Sequence, residues 1–210
     1  MNNILMLSSG SNFVEARKQD PRYKEHFAYM DGYDLPSCDL SPYIAMVVPN
    51  LIDQEFLYKH REVIRAFLDS GKLLVFSGHL FRAWVPGGSD FVPKTIRSYH
   101  DYIVSVAKPH PIFEGVRPED MTFNQGVAGF FARGHHPVPP GAEVLLTLPG
   151  GEPIVYIDRS STNGTILLHA GNDLFGYSNP ASTASRIGGQ LIRWIREEHQ
   201  RLQERGGPQA

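Results

Sequence analysis

The chain has 210 residues, of which 41% are apolar and 20% are charged, and its formal net charge is -2. This nearly balanced charge argues against nucleic acid or an anionic membrane as an obligate partner. The single cysteine, Cys38, excludes an internal disulfide and a cysteine zinc cluster. The length fits one large domain, which we assign to residues 1–204, followed by a disordered tail at 205–210.

The start of the chain bears on location. Residues 1–7 lack the charged beginning and the longer apolar run of a signal peptide. No segment reaches the roughly 20 apolar residues that a membrane-spanning helix needs. We therefore expect a cytoplasmic protein.

The first half of the chain alternates strand and helix patterns. Ile4–Leu7 is a short apolar run that predicts a buried strand, and residues 23–30 are predicted as a short helix after Pro21. Residues 44–48 are apolar on both faces, which is typical of a strand in a parallel sheet.

A helix and a second strand are predicted after this strand. Asp53 is a predicted N-cap, and the apolar residues after it recur at helical spacing until Gly71, which predicts a left-handed stop. Leu73–Phe76 is then the next buried strand. A strand, a helix and a parallel strand imply a right-handed crossover.

The second half predicts short strands and one long helix. Strands are predicted at 103–106, 144–148 and 154–157. Asn163-Gly164 predicts a two-residue hairpin turn that pairs residues 155–158 with 165–168. Residues 184–203 form an amphipathic helix with an apolar stripe. The pattern predicts an α/β fold whose mostly parallel sheet carries an antiparallel extension.

The first candidate site is the turn Ser77-Gly78-His79 after the Leu73–Phe76 strand. A side chain here would stand at the carboxyl edge of the sheet, where ligands usually bind in open α/β folds. A nucleophile elbow occupies such a turn between a strand and a helix, but no G-x-S-x-G pattern is present. Two interpretations of His79 remain open, a hydrogen-bonded turn residue and a ligand contact.

The second candidate is the run that ends in His169. A histidine at a strand end could act as a general base, and Asp173 could orient it. The alternative is an ordinary core histidine beside an Asx turn at Asn172 and Asp173. Asn172 is also a candidate for ligand binding.

Other segments carry weaker signals. The loop after the first strand could offer the backbone N–H groups of Ser9 and Gly10 to a ligand, although an ordinary polar loop is favoured. The pair His135-His136 lacks the converging ligands that zinc requires, so we predict a flexible lid and no metal site.

Cys38 has no basic neighbour in sequence that would lower the pKa of its thiol. We therefore expect an inert, partly buried thiol and no cysteine chemistry.

The order of these elements resembles a known family. The strand with its Ser/Gly loop, the run 43–49 and the run 71–79 are similar to the class I glutamine amidotransferase-like superfamily. The resemblance is closest to the non-amidotransferase members, which include trehalose-utilisation-type proteins and the amidotransferase-like domains appended to some glycosidases. His110–Gly115 matches a His-Pro-Ile-x-x-Gly stretch in those proteins.

The resemblance implies a flavodoxin-like three-layer fold and a damaged catalytic triad. The position of the nucleophilic cysteine falls near His79, and the catalytic histidine falls at His169. The glutamate two residues later falls at Gly171, which has no side chain. Two of three triad members are therefore missing, and glutamine hydrolysis by the usual route is excluded.

Two hypotheses follow for the function. The first is a non-catalytic module, without a cofactor, that binds a small polar ligand or a protein partner, with a pocket lined by His79, His169 and Asp173 and with a homo-oligomer as a further possibility. The second is a hydrolase or lyase in which His169 is the base and His79 the acid, acting on a small polar or sugar-like substrate. We favour the first.

Overall fold

A computed structural model of the chain describes residues 3–206. The strands are β1 Ile4–Ser8, β2 Phe27–Asp31, β3 Ala45–Val48, β4 Leu73–Ser77, β5 Val92–Pro93, β6 Ser105–Val106, β7 Phe123–Asn124, β8 Val127–Ala128, β9 Gly134–His135, β10 Glu143–Thr147, β11 Pro153–Asp158 and β12 Thr165–His169. The α-helices are α1 Asn12–Gln19, α2 Gln54–Lys59, α3 Arg61–Asp69, α4 Pro118–Thr122 and α5 Ile187–Gly206.

Eight of these strands form one central sheet in the order β2-β1-β3-β4-β12-β11-β10-β6. The first five strands in this order run parallel, and β11, β10 and β6 continue the sheet antiparallel. The prediction of a flavodoxin-like α/β fold, with a mostly parallel sheet and an antiparallel extension, is confirmed.

Apolar side chains cover both faces of the sheet. In β1, Ile4 and Met6 belong to the core on one face, while Leu5 and Leu7 belong to the core on the other face. Helices α1 and α5 pack on the first face, and α2 and α3 pack on the second. Burial on both faces explains why these strands are continuous apolar runs.

The helix predicted to begin at Asp53 is present but divided. The Asp53 carboxylate accepts a hydrogen bond from the Phe56 N–H at 3.0 Å, as an N-cap does. The chain leaves helical geometry at His60, which separates α2 from α3. Gly71 takes a positive φ of 78° after α3, so the predicted left-handed stop is confirmed.

The helix predicted at residues 23–30 is wrong. Phe27–Asp31 is strand β2 at the edge of the sheet, and it pairs parallel to β1 with Phe27 opposite Ile4. The helix on this stretch of chain lies earlier, at α1, which the sequence reading missed. Its buried residues include Arg17, so the buried face of α1 does not show the apolar pattern that predicts a helix.

The predicted pairing of 155–158 with 165–168 is confirmed by β11 and β12. The predicted type of turn is wrong, because neither Asn163 nor Gly164 has a positive φ. Gly164 is needed for a different reason, since a Cβ there would overlap the carbonyl oxygen of Lys72. A two-residue turn with positive φ at both positions occurs instead at Gln125-Gly126, between β7 and β8.

The remaining elements follow the predicted pattern with shifted ends. Residues 144–148 and 154–157 correspond to β10 and β11, whereas 103–106 shrinks to the two-residue strand β6. The apolar stripe of α5 is buried, and the helix runs to Gly206, two residues into the predicted tail. Residues 207–210 of that tail lie outside the described residues, and the assignment of 1–204 to one domain stays a prediction.

Among residues 3–206, no helix has both the length and the apolar character that crossing a membrane requires.

Candidate functional site

The turn after β4 is tight, but it is not a complete elbow. Gly78 is buried with a φ of 152°, and a Cβ there would approach the Phe76 ring to 2.9 Å. The Gly78 N–H donates to the His169 carbonyl at 3.0 Å, so it is not free to hold a ligand. Residues 80–91 contain no helix, whereas a nucleophile elbow leads directly into one.

His79 stands at the carboxyl edge of the sheet with its ring on a neighbouring aromatic. The imidazole stacks on Phe91 with the ring centroids 3.7 Å apart and the planes inclined by 13°. The His79 carbonyl accepts from the Gln54 Nε2 at 2.7 Å, which fixes the backbone. Partial burial, then the charges of His136 and Arg133, lower the pKa of His79. The ring is therefore neutral at neutral pH.

His136 holds the long middle segment against the turn after β4. The ring is fully buried, with Nε2 3.1 Å from the Gly78 carbonyl and Nδ1 2.9 Å from the Ser89 carbonyl. Burial lowers the pKa of His136, while the two carbonyls act in the opposite direction. A neutral imidazole has one N–H and can donate to only one carbonyl at a time. This role contrasts with the flexible lid predicted for this segment.

His169 ends β12 as predicted, but it is sealed from solvent. The side chain has no exposed surface, and its ring packs on Phe131 at a centroid distance of 4.6 Å. Burial lowers the pKa of His169 to about 3. The carbonyls of Phe131 and Asn172 favour the protonated ring, yet neither forms a hydrogen bond of ordinary geometry. His169 is a neutral core histidine and does not line an open pocket.

Because His169 stays neutral in the folded chain, its burial makes stability depend on pH. The unfolded chain takes up a proton near pH 6.5, and the folded chain takes it up only near pH 3. Burial of His169 therefore causes no pH-dependent loss of stability above pH 6.5. Between pH 6.5 and pH 3, this one group lowers the free energy of unfolding by about 1.4 kcal/mol for each pH unit. Urea unfolding measured between pH 7 and pH 5 is expected to show this loss.

In the variant His169→Gln, unfolding below pH 6.5 is expected to take up about one proton fewer than in the parent chain. The free energy of unfolding should therefore depend less steeply on pH. The matched control is His100→Gln, which changes an exposed histidine. A His169→Gln protein with the same pH slope as the parent chain would contradict the burial argument.

Asp173 does not orient His169. Its Oδ2 forms an ion pair with the Arg17 guanidinium, and its Oδ1 accepts from the Phe175 N–H at 2.9 Å. Arg17 is 6% exposed and Asp173 is 9% exposed, so the pair is buried. The predicted pocket of His79, His169 and Asp173 is thus not formed, because the histidine is covered and the carboxylate is occupied elsewhere.

Asp173 and Asn172 instead border a cavity of about 250 Å³ at this end of the sheet, which we call the Tyr177 cavity. Its lining residues are Arg17, Asn50, Asn124, Phe130, Asn172, Asp173, Gly176 and Tyr177. Most of them were missed by the sequence reading, because they come from four separate stretches of the chain that share no motif.

The predicted ligand residues Ser9 and Gly10 lie in a second cavity of about 280 Å³. This cavity covers the carboxyl ends of β1 and β2, and Asp31 and Tyr33 also line it. Gly10 has a φ of 71°, and its N–H donates to the Ser8 Oγ at 3.2 Å. The Ser/Gly loop and Asn172 therefore do not share one pocket.

The other predicted residues line neither cavity. Ser77 and Gly78 are buried, and His79 lies outside both linings. Cys38 is exposed, not partly buried as expected, and it also lies outside both. Within the described ranges, no group of three His, Cys, Asp or Glu side chains is placed to hold a metal ion. The roles assigned to these residues stay predictions.

Solved structures show what this architecture resembles. A cytoplasmic protein from Salmonella typhimurium superposes with a TM-score of 0.59 at 13% identity, over 92% of this chain and 98% of that one. A glutamine amidotransferase from Thermotoga maritima superposes with a TM-score of 0.54 at 14% identity, over 98% of this chain and 85% of that one. This chain has a class I glutamine amidotransferase-like fold.

The similarity extends to part of a larger enzyme. A β-galactosidase from a Rahnella species superposes on this chain with a TM-score of 0.53 at 14% identity, over 93% of this chain but only 31% of the galactosidase. At the level of sequence, no family model and no curated protein matches. Identities this low establish the shared fold alone.

One position in the amidotransferase-like fold is closed to a side chain. Gly171, which the resemblance places at the triad carboxylate, is buried, and a Cβ there would overlap the carbonyl oxygen of Phe131. The same Cβ would lie 3.0 Å from the His169 Nε2. A glutamate at this position therefore has no room beside the histidine.

Proposed function

We propose that the chain is a non-catalytic amidotransferase-like module that binds a small polar ligand at the carboxyl edge of its sheet. The observation that carries the proposal is the turn after β4. It presents His79 stacked on Phe91, and the single cysteine, Cys38, is exposed and lines neither cavity at this edge. Hydrolysis of an amide through a thioester needs a thiolate next to a base.

The contacts of His169 argue in the same direction. A general base must reach the proton that it abstracts, directly or through one water. His169 has no exposed surface and a pKa of about 3, and Asp173 is paired with Arg17. The alternative, a hydrolase or lyase that uses His169 as base and His79 as acid, would require the Phe131 cover to move first.

Ligand binding is favoured over a purely structural role, because two cavities open at the edge where α/β folds usually bind ligands. Assembly with a protein partner or with a second copy of the chain stays a prediction. We also propose a cytoplasmic location, since one of the similar structures is named a cytoplasmic protein.

The catalytic side of the proposal is tested by glutamine hydrolysis. We expect the purified chain to release no more ammonia from glutamine than buffer does, because no thiol stands at the turn after β4. The variant His79→Cys is also expected to be inactive, since position 171 cannot supply the triad carboxylate. An active amidotransferase serves as the positive control for the assay.

Steady turnover of glutamine, of an ester or of a glycoside would contradict the proposal if His79→Ala abolished it. A matched variant, His100→Ala, changes an exposed histidine that lines neither cavity and should leave any measured rate unchanged.

A further inference from the structure

Residues 124–132, which we call the cover segment, are anchored at both ends. Before them, the Thr122 Oγ1 accepts a hydrogen bond from the Val104 N–H at 2.9 Å. After them, the Arg133 carbonyl accepts from the Lys94 N–H at 3.0 Å. The cover segment is therefore a stretch of chain whose two ends are fixed to the rest of the fold.

Between these anchors, the cover segment bonds only to itself and to its immediate neighbours in sequence. Its hairpin pairs Asn124 with Val127, and the Gly129 carbonyl accepts from the Arg133 Nε at 3.0 Å. Within the described chain, no hydrogen bond of ordinary geometry joins the cover segment to a residue beyond Phe123 or Arg133. A segment with so few links to its surroundings belongs to the part of a protein that opens at low cost.

One large side chain holds the cover segment closed. Phe131 is 1% exposed, whereas Val127 and Phe130 in the same segment are 54% and 41% exposed. The Phe131 ring packs on the ring of His169 at a centroid distance of 4.6 Å and on that of Tyr177 at 5.7 Å. Closure therefore depends mainly on the burial of this one ring.

The closed cover segment leaves polar atoms without partners next to Phe131. Both ring nitrogens of His169 and the Oη of Tyr177 are buried, and no described atom forms a hydrogen bond of ordinary geometry with them. Such atoms are uncommon in native proteins, because they have lost their bonds to water. Water that enters when Phe131 withdraws would restore those bonds, which offsets part of the apolar contact that is lost.

We infer that the cover segment opens locally while the rest of the fold stays intact, and that opening exposes His169 and Tyr177 to solvent. The main chain of the closed segment lies directly on β12, since a Cβ on Gly171 would overlap the Phe131 carbonyl oxygen. This close contact keeps the open form rare, at roughly one molecule in a thousand.

Opening also changes the Tyr177 cavity. Asn124 and Phe130 belong to the cover segment and form part of the lining of that cavity. Their displacement removes this part of the wall, so the open form admits molecules too large for the closed volume of about 250 Å³. The inference goes beyond the proposed ligand binding, because the motion is a property of the chain alone.

The test measures how fast diethyl pyrocarbonate modifies each histidine of the native chain near neutral pH, read by peptide mass spectrometry. Each initial rate is divided by the rate of the same residue in the urea-unfolded chain. His136 is the internal control, because it is also fully buried but its ring nitrogens face the carbonyls of Gly78 and Ser89 outside the cover segment. We expect His169 to react at least about tenfold faster than His136 and roughly a thousandfold more slowly than the exposed His100.

The variant Ile64→Val separates local opening from global unfolding. Ile64 is buried in the core on the opposite face of the sheet from Phe131, and it stays buried when only the cover segment opens. The substitution is expected to raise the His136 rate about two- to tenfold, as global unfolding becomes easier, and to leave the His169 rate unchanged. Equal rates of His169 and His136 in the parent chain, or equal increases of both in Ile64→Val, would overturn the inference.

Two further variants test whether Phe131 is the side chain that closes the cover segment. Phe131→Ala is expected to raise the His169 rate at least about tenfold, because the closed form loses its buried ring. Phe130→Ala removes a half-exposed ring of the same segment and should change that rate by less than about twofold. Equal effects of the two substitutions would contradict the inference. If Phe131→Ala does not fold, the parent chain and Ile64→Val decide the question.

Discussion

Gly171→Ala is expected to destabilise the fold by more than about 4 kcal/mol, or to prevent folding altogether. The added Cβ would overlap the carbonyl oxygen of Phe131, and both partners are held by main chain that cannot rotate away. Relief would require β12 and the segment that covers His169 to separate. The loss is measured as the shift of the urea unfolding midpoint relative to the parent chain.

The control for this experiment is Gly189→Ala. Gly189 lies in α5, and no atom stands within 4 Å of a Cβ added there. Alanine is a better helix former than glycine by roughly 0.5–1 kcal/mol, so this variant should be slightly more stable than the parent chain. If Gly171→Ala unfolded within about 1 kcal/mol of the parent chain, the close contact with Phe131 would not exist.

Arg17→Met is expected to cost about 3–5 kcal/mol of stability. Methionine fills much of the same volume but leaves the Asp173 carboxylate buried without its countercharge. The double variant Arg17→Met with Asp173→Asn is expected to recover part of the loss, because asparagine is neutral and can still accept from the Phe175 N–H. A double-mutant cycle on the free energies of unfolding separates the interaction energy between Arg17 and Asp173 from the contributions of their other contacts.

The comparison variant is Arg22→Met. Arg22 pairs with Asp20 at the surface, where the side chains are 38% and 22% exposed. An exposed ion pair of this kind contributes about 0–1 kcal/mol, and its contribution is screened by salt. Equal losses for Arg17→Met and Arg22→Met would contradict the buried character of the Arg17–Asp173 pair.

The parallel core of the fold could be predicted because burial on two faces leaves a strong pattern. Leu73–Phe76 and Ile4–Leu7 are uninterrupted apolar runs, and both are central strands. The edge strand β2 is only half-buried, so it lacks that pattern and was mistaken for a helix. Helix α1 was missed for a different reason: its buried face carries the charged residue Arg17, which breaks the apolar pattern of an inner helix face.

The candidate site was predicted in outline and missed in detail. A strand end predicts where His169 sits, but not that Phe131, from a distant part of the chain, covers it. Arg17 and Asp173 are 156 residues apart, and no local signal connects them. The hydroxyl of Tyr177 is notable only because the folded chain leaves it without a partner. Each of these facts depends on tertiary contacts, which periodicity does not contain.

The position of β12 has a consequence for how the chain reaches its native state. This strand sits in the middle of the sheet beside β4, yet the whole middle segment separates the two in sequence. During synthesis, the backbone N–H and C=O groups on one edge of β4 stay unpaired until residues 165–169 have left the ribosome. Closure of so long a loop is slow, and an unpaired strand invites association with other chains. The central pairing of β4 with β12 is therefore expected to form late and to limit the folding rate of the sheet.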